Sequence, residues 1–387
     1  MKTKYLILLI ATICCMVTCK NADVFEDKVY FSGTDETTTQ KVAIEVAPVI
    51  HPISVSASSI VKEDVDVHFD FAPELMDAFN KRTGNAYEVL PAGSYELTSH
   101  SVTIKAGKAI SESVNLVIST LSELKDGTIY MIPVKITQAS GLPILESCAT
   151  IYLAFNRTII SPAPDFNARN YFPVDKYRQM DELKALNAFT FETRINVQLF
   201  KGQTYPTAPK SVSVMGIEEV CLLRFGDGSL PGDKLQLTAF GGNMSSAFNF
   251  SLGNWYHIAV TYDGSMLRMY VDGELDATKE KTGTLDLTKT NPATTDLTQG
   301  FFIGRAADNM RLIDAIFSET RVWTVARSQN EIRNNMCYVD PETPGLLSYW
   351  RFNEGSGNIA HDLSPNGIDI QALGGTLTWV EGIRCEP

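Results

Sequence analysis

The chain has 387 residues, a formal net charge of −12, 44% hydrophobic residues and 20% charged residues. That length exceeds one comfortable hydrophobic core, and the composition excludes wholesale disorder. The acidic balance, with no basic cluster to interrupt it, excludes nucleic acid and anionic lipid headgroups as direct partners.

Met1-Lys2-Thr3-Lys4 is positively charged, and residues Tyr5 to Val17 form an apolar run too short to span a bilayer as a permanent helix. This pattern predicts a secretory leader over residues 1–18. The leader ends Met16-Val17-Thr18-Cys19, and a cysteine directly after an apolar run and a small residue resembles a bacterial lipoprotein cleavage site. The resemblance implies lipidation of Cys19 and an exported, outer-membrane protein on the cell surface, with Lys20-Asn21-Ala22-Asp23 as a tether. An ordinary signal peptide in which Cys19 has no role is the alternative. Removing Lys2 and Lys4 leaves 31 basic against 45 acidic side chains, net −14, so the bilayer is a partner only through the N-terminal acyl anchor.

Residues 19–156 carry short alternating runs: Val42 to Val46, Val65 to Phe69, Val102 to Ile104, Val114 to Ile118, Tyr130 to Ile136 and Ala149 to Phe155. Turn residues such as Gly107 and Asp126-Gly127 separate them, which predicts a β-sandwich of immunoglobulin type. One helix interrupts the strands, beginning at Pro73, carrying apolar residues at 75, 76 and 79, and stopping at Thr83-Gly84. The helix ending Ala78-Phe79-Asn80, with Tyr87-Glu88-Val89-Leu90-Pro91, Ser101 to Gly107 and Tyr130 to Val134, resembles an uncharacterised immunoglobulin-like domain at the N-terminus of Bacteroidetes surface lipoproteins. The resemblance implies a spacer or docking module without chemistry of its own.

Residues 157–165 include Ser161-Pro162-Ala163-Pro164 and show no periodicity, which predicts a semi-rigid linker. Beyond it, Ala188 to Ile195 is the first long strand of a second domain over residues 166–387. The clearest pattern follows. In Asn254-Trp255-Tyr256-His257-Ile258-Ala259-Val260-Thr261-Tyr262 the residues alternate between two faces, Asp263-Gly264 turns the chain, Leu267 to Val271 alternates again, and Asp272-Gly273 turns it back. Asp-Gly supplies the positive φ angles of tight hairpins, so an antiparallel meander is predicted. Gly300 to Arg305 and Ala315 to Trp323 read as further strands, and Ser328-Gln329-Asn330-Glu331 has capping-box spacing ahead of a helix from Gln329 to about Met336.

Read together, the stretches from Asn254 to Leu275, from Phe301 to Ala306 and from Ser318 to Ile332 resemble the laminin-G-like branch of the concanavalin A-like lectin/glucanase superfamily. The resemblance implies a two-sheet jelly roll, giving an all-β chain with an immunoglobulin-like sandwich before it. Ala315 stands where that family commonly has glycine, and Ser318 where it commonly has an acid.

Both lectins and glycoside hydrolases use this fold, so the chemistry must be sought in side chains. A hydrolase needs two carboxylates flanking the scissile bond, on alternate strand positions. Glu274, Asp276 and Glu280 come nearest, but Glu280 lies beyond the required spacing, which predicts a solvated strand start and no catalytic residues. Glu218 and Glu219, as strand neighbours, are expected on opposite faces. The five histidines are scattered without metal-ligand spacing, so zinc is not expected. Calcium is the one cation carried, as a structural ion at Asp308 and Asn309, because laminin-G-like domains hold it at rim loops through oxygen ligands. The same loop offers Arg305, Asp308, Asn309 and Arg311 as ligand-binding groups, and the loop around Tyr205 offers an exposed aromatic. Trp255, Trp323 and Trp350 are expected in the core. Cys337 and Cys385 flank the last strands and are expected to form a disulfide, while Cys148 and Cys221 read as buried hydrophobes.

The expected function is non-catalytic capture of a polysaccharide or glycoprotein glycan at the cell surface, together with other glycan-utilisation proteins and with no required cofactor. A glycoside hydrolase of the same superfamily and a protein-binding surface adhesin are the alternatives.

Overall fold

The computed structural model describes residues 26–125, 127–200, 211–290, 300–306 and 311–386, with Asn156 described by its backbone alone. The expectations for Cys19, Tyr205, Asp308 and Asn309 lie outside the described residues. Among the described residues no helix is long and apolar enough to cross a membrane. The chain divides into two compact units, with the boundary between Phe155 and Asn156.

The first unit is a β sandwich. One sheet runs in the order Thr39–Ile44, Thr150–Arg157, Tyr130–Ala139, Val65–Phe71, Ser101–Ile104, and the other in the order Val49–Ile53, Val114–Ile118, Tyr95–Leu97. Alternation decides what each strand buries: Val65, Val67 and Phe69 face the core while Asp66, His68 and Asp70 face out. Phe31, Leu116, Ile132 and Leu153 fill the space between the sheets. The expected helix forms a 3-10 turn at Pro73–Leu75 and an α-helix at Met76–Thr83. Gly84 ends it at φ 70°, donating its N–H to the Asn80 carbonyl. The strands Val29–Phe31 and Val55–Ala57 escape a periodicity reading because three residues carry too little pattern.

The second unit stacks two antiparallel sheets. The large sheet is ordered Glu274–Glu280, Met266–Val271, Trp255–Tyr262, Phe189–Leu199, Asp314–Trp323, Ile159–Asp165, Thr378–Cys385, and Leu346–Trp350 also pairs with Asp314–Trp323. The small sheet is ordered Phe172–Pro173, Phe302–Ile303, Val212–Ile217, Cys221–Asp227, Leu230–Ala239, Gly242–Ser245. Phe191, Ile195, Val260 and Phe317 from the first sheet meet Val214, Leu223, Phe225 and Leu237 from the second in one core.

Both Asp-Gly turns form as expected. Asp272 and Gly273 have φ of 49° and 76°, the two consecutive positive values that a tight hairpin turn demands. At the other turn the Asp263 carboxylate accepts the N–H groups of Ser265 at 3.0 Å and Met266 at 2.9 Å. The helix spans Gln329–Asn334 and carries the full Ser328/Glu331 capping box.

The structure corrects three readings. Residues 159–165 are a strand rather than a linker: Ile159–Asp165 pairs with Thr378–Cys385, and the register slips between Ser161 and Ala163, at Pro162, where a missing N–H is tolerated. The strand expected over Gly300 to Arg305 is reduced to Phe302–Ile303. Trp323 and Trp350 are fully buried, but Trp255 is half-buried and stands outside the core, under the Arg194 guanidinium at 4.5 Å. Cys337 and Cys385 are bonded, with Cα atoms 5.6 Å apart. Cys148 and Cys221 are free and buried, and burial pushes the Cys221 thiol up.

Candidate functional site

The outer face of the small sheet carries a row of polar side chains because the strand period that sends Leu223, Phe225 and Leu237 inward sends their neighbours outward. Arg224 stands opposite Ser213 on one side and Gln236 on the other, and Gln236 stands opposite Ser245. Arg224 donates to the Gln236 carbonyl oxygen from Nε at 3.2 Å and Nη2 at 2.9 Å, and Gln236 donates to the Ser245 hydroxyl at 3.2 Å. Nη2 of Arg224 also reaches Asp227 at 2.6 Å.

At the end of this row lies a pocket of about 290 Å³, between the Glu218–Val220 turn and the Gly241–Gly242 turn. Its polar lining is Glu218, Glu219, Arg224, Thr238 and Asn243. Glu218 is held from two sides, 2.5 Å from Arg311 Nη1 and 4.0 Å from Arg224 Nη1, both through Oε1. Its Oε2 is buried and carries no hydrogen bond, and neither do the buried hydroxyls of Ser211 and Ser213. A guanidinium donor, carboxylate acceptors, an amide and a hydroxyl converging on one small volume suit a ligand rich in hydroxyl groups.

Glu218 and Glu219 correct the strand reading. The strand Val212–Ile217 ends before them and Glu219 adopts φ 62°, so alternation no longer applies and both residues line the same pocket.

The loop singled out for ligand binding is divided by the structure. Arg311 reaches Glu218 at the pocket, and the loop end is pinned to the sheet by the Ser213 N–H donating to the Arg311 carbonyl at 3.0 Å. Arg305 turns away and stacks on Tyr171 at 4.6 Å and Phe302 at 5.1 Å. Residue types alone could not separate the two, since each reads as a rim arginine. Arg224 was missed because an arginine between Leu223 and Phe225 carries no motif.

Glu274, Asp276 and Glu280 lie on the edge strand of the large sheet. Asp276 accepts the N–H groups of Ala247 at 3.0 Å and Phe248 at 2.8 Å, and Glu274 accepts from Arg333 at 2.6 Å. These are positioning contacts within the fold. Among the described residues no group of three acidic, histidine or cysteine side chains is gathered for a metal ion.

The outer face of the large sheet buries charge. Arg321 donates to Glu319 at 2.7 Å and lies 3.6 Å from Glu192; Arg351 reaches Glu319 at 2.9 Å, and Tyr349 donates to the same carboxylate. Trp323 donates its indole N–H to Glu192. Burial by itself raises the Glu192 carboxyl, but Arg321, His257 and Arg327 outweigh it and hold the group below its ordinary range.

Residues 180–333 match the laminin G family of the concanavalin A-like lectin/glucanases superfamily, and residues 25–143 match a family of N-terminal domains. No curated protein sequence matches the chain. Among solved structures, the chain is similar to a proposed carbohydrate-binding protein of Bacteroides ovatus, at 27% identity and TM-score 0.57, over 92% of this chain and 97% of that one. It is similar at much lower level to a heptameric SAP-like pentraxin of Limulus polyphemus, at 15% identity and TM-score 0.34, over 58% of this chain and 94% of that one. A Trypanosoma rangeli sialidase shows 15% identity and TM-score 0.27, over 38% of this chain and 22% of that one. Likenesses as weak as the last two carry no functional information. Residues 180–333 thus match a concanavalin A-like family model, and a β-rich N-terminal domain precedes them.

Proposed function

We propose that the protein binds a glycan without cleaving it, at the pocket between the Glu218–Val220 and Gly241–Gly242 turns. The observation that carries the reading is Arg224. It is nearly buried, fixed by Gln236 and Asp227, and lines a pocket whose remaining polar groups are hydroxyl partners. An arginine pre-ordered in this way loses little further freedom when a ligand binds. The likeness to the Bacteroides ovatus protein supports the same class of ligand.

A glycoside hydrolase is the second reading, favoured by the presence of Glu218 and Glu219 on one pocket. Against it, Glu218 is committed to Arg311. A glycan array with the purified protein, followed by an assay for released reducing ends, tests both. Saturable binding without product supports capture; product release that disappears on changing Glu219 to Gln supports hydrolysis; no glycan binding overturns both in favour of a protein-binding adhesin.

The leader and Cys19 support an exported lipoprotein on the outer membrane, serving a glycan-utilisation system together with other surface proteins. Mass spectrometry of the detergent-extracted protein should find an acylated Cys19 at the mature N-terminus, and an unmodified N-terminus would refute the anchor.

A further inference from the structure

The other sheet carries a second cleft, of about 360 Å³, on its outer face, lined by Arg194, Trp255, His257 and Asp272 with Met336 and the Cys337–Cys385 bridge. Arg194 lies over Trp255, with its Cζ 4.5 Å from the ring centroid, and donates from Nη2 to the Arg384 carbonyl at 2.6 Å. Among the described residues it forms no ion pair. Burial pulls the guanidinium down to about 10, against the attraction of Glu319 and Asp272.

His257 deepens the anomaly. Its ring is 2% exposed, and neither ring nitrogen has an aligned hydrogen-bond partner, although Nε2 stands 3.2 Å from Glu192 Oε2. Asp272 is tied to the strand by accepting the His257 backbone N–H at 2.8 Å. Thus a half-buried guanidinium and a buried imidazole beside Glu192 share a cleft with an indole, a thioether and a disulfide. The Arg194 guanidinium has a backbone carbonyl and an indole face as partners but no carboxylate among the described residues, and it would gain from an anion.

We propose that this cleft is a second glycan subsite, selective for a sugar that bears a carboxylate. A planar guanidinium matches a carboxylate through two parallel N–H donors, which a neutral hydroxymethyl group cannot reproduce. Trp255 and Met336 supply an apolar wall for the C–H groups of a sugar ring. The exposed Asp272 and Glu386 at the mouth accept ring hydroxyls. The proposal rests on the carbohydrate reading above but uses none of the residues of the small-sheet pocket.

The test compares methyl glucuronoside with methyl glucoside, which differ only in carboxylate against hydroxymethyl, by calorimetric titration of the purified full chain at low and high salt. The glucuronoside should bind at least about tenfold tighter, more weakly in salt, and its advantage should vanish in Arg194→Lys, which keeps the charge but loses the fork. Arg194→Lys should leave binding of the array glycan at the small-sheet pocket unchanged. The wild-type protein gives a reading that needs no variant: the Trp255 indole N–H resonance should shift on adding glucuronoside and not on adding glucoside. Equal binding of the two sugars, no binding of either, or loss of glucuronoside binding in Arg224→Met but not in Arg194→Lys would overturn the second subsite. The last outcome would leave the carbohydrate reading standing at the first pocket. Failure of every array glycan together with both glycosides would sink both.

Discussion

Arg321 and Glu319, two residues apart on one strand, face each other across 2.7 Å with neither more than 3% exposed. Glu319 adopts φ 51° where this strand slips register against Phe189–Leu199, so the pair sits at a bulge. Two charges taken out of water in this way hold only while each has the other, and Arg351 and Tyr349 complete the set.

Breaking the pair should therefore be severe. Arg321→Met leaves Glu319 and Glu192 buried without their main counter-charge and should cost about 3 to 5 kcal/mol of stability. Urea unfolding followed by tryptophan fluorescence reads this directly, since Trp323 sits beside the network. A midpoint equal to wild type would show that the cluster contributes nothing.

The Cys337–Cys385 bridge closes a span of 48 residues. On the chain-entropy model a loop of that size is worth about 4 kcal/mol. Replacing both cysteines with serine should lower the thermal midpoint of the second unit, and a reductant should have the same effect on the wild-type protein but none on the variant.

Where side chains alternate or turns need special backbone angles, the fold was legible. Asp272-Gly273 and the Ser328/Glu331 capping box are local rules, and each formed as read. Ile159–Asp165 was not legible because its partner strand is at the far end of the chain, and two prolines argued for a linker until the bulge at Pro162 accommodated them. The site was less legible still. Arg224 acquires its meaning from Gln236 on the next strand and from Glu218 past a turn, and Trp255 reads as core from the sequence because it falls inside the stretch that carries the family resemblance. Pairing across strands, rather than residue order, decides those roles.

Acid should loosen the second unit through Glu192. Its folded carboxyl sits below its ordinary range, held there by Arg321, His257 and Arg327 against the opposing effect of burial. A depressed carboxylate contributes stability that is fully present above its unfolded value, near 4.5, and is lost as pH falls through the folded value. The unfolding free energy should thus decline below that pH, and Glu192→Gln should flatten the decline while lowering stability at neutral pH. A parallel offset with the slope unchanged would contradict this assignment.

The pocket makes a graded prediction. Arg224→Met removes the buried donor and should weaken glycan binding by at least about tenfold, the scale of one charged hydrogen bond. Arg311→Ala acts through Glu218, which it holds at 2.5 Å, and should weaken binding by a smaller factor. Arg305→Ala should have little effect, because Arg305 stacks on Tyr171 and Phe302 outside the pocket lining. Calorimetric titration with an array-positive glycan ranks the three, and an Arg305 effect larger than that of Arg224 would move the site to the other end of the sheet.

The last prediction separates capture from cleavage. Glu274, Asp276 and Glu280 resemble a stretched form of the acidic strand used by hydrolases of this fold, yet two of them are occupied elsewhere. Asp276 holds the backbone N–H groups of Ala247 and Phe248, and losing that support should cost about 1 to 2 kcal/mol. Glu274 pairs with Arg333 while 71% exposed, a contact worth about 0 to 1 kcal/mol. Changing all three residues to their amides should therefore lower the urea midpoint modestly and leave glycan affinity where it was. The two readouts move independently under capture, because the carboxylates support the Ala247–Phe248 turn and the Gln329–Asn334 helix rather than the pocket. Under a hydrolase they would move otherwise: the wild-type protein would release reducing ends and the triple variant would not, at unchanged affinity. That result would replace capture with catalysis at the edge strand.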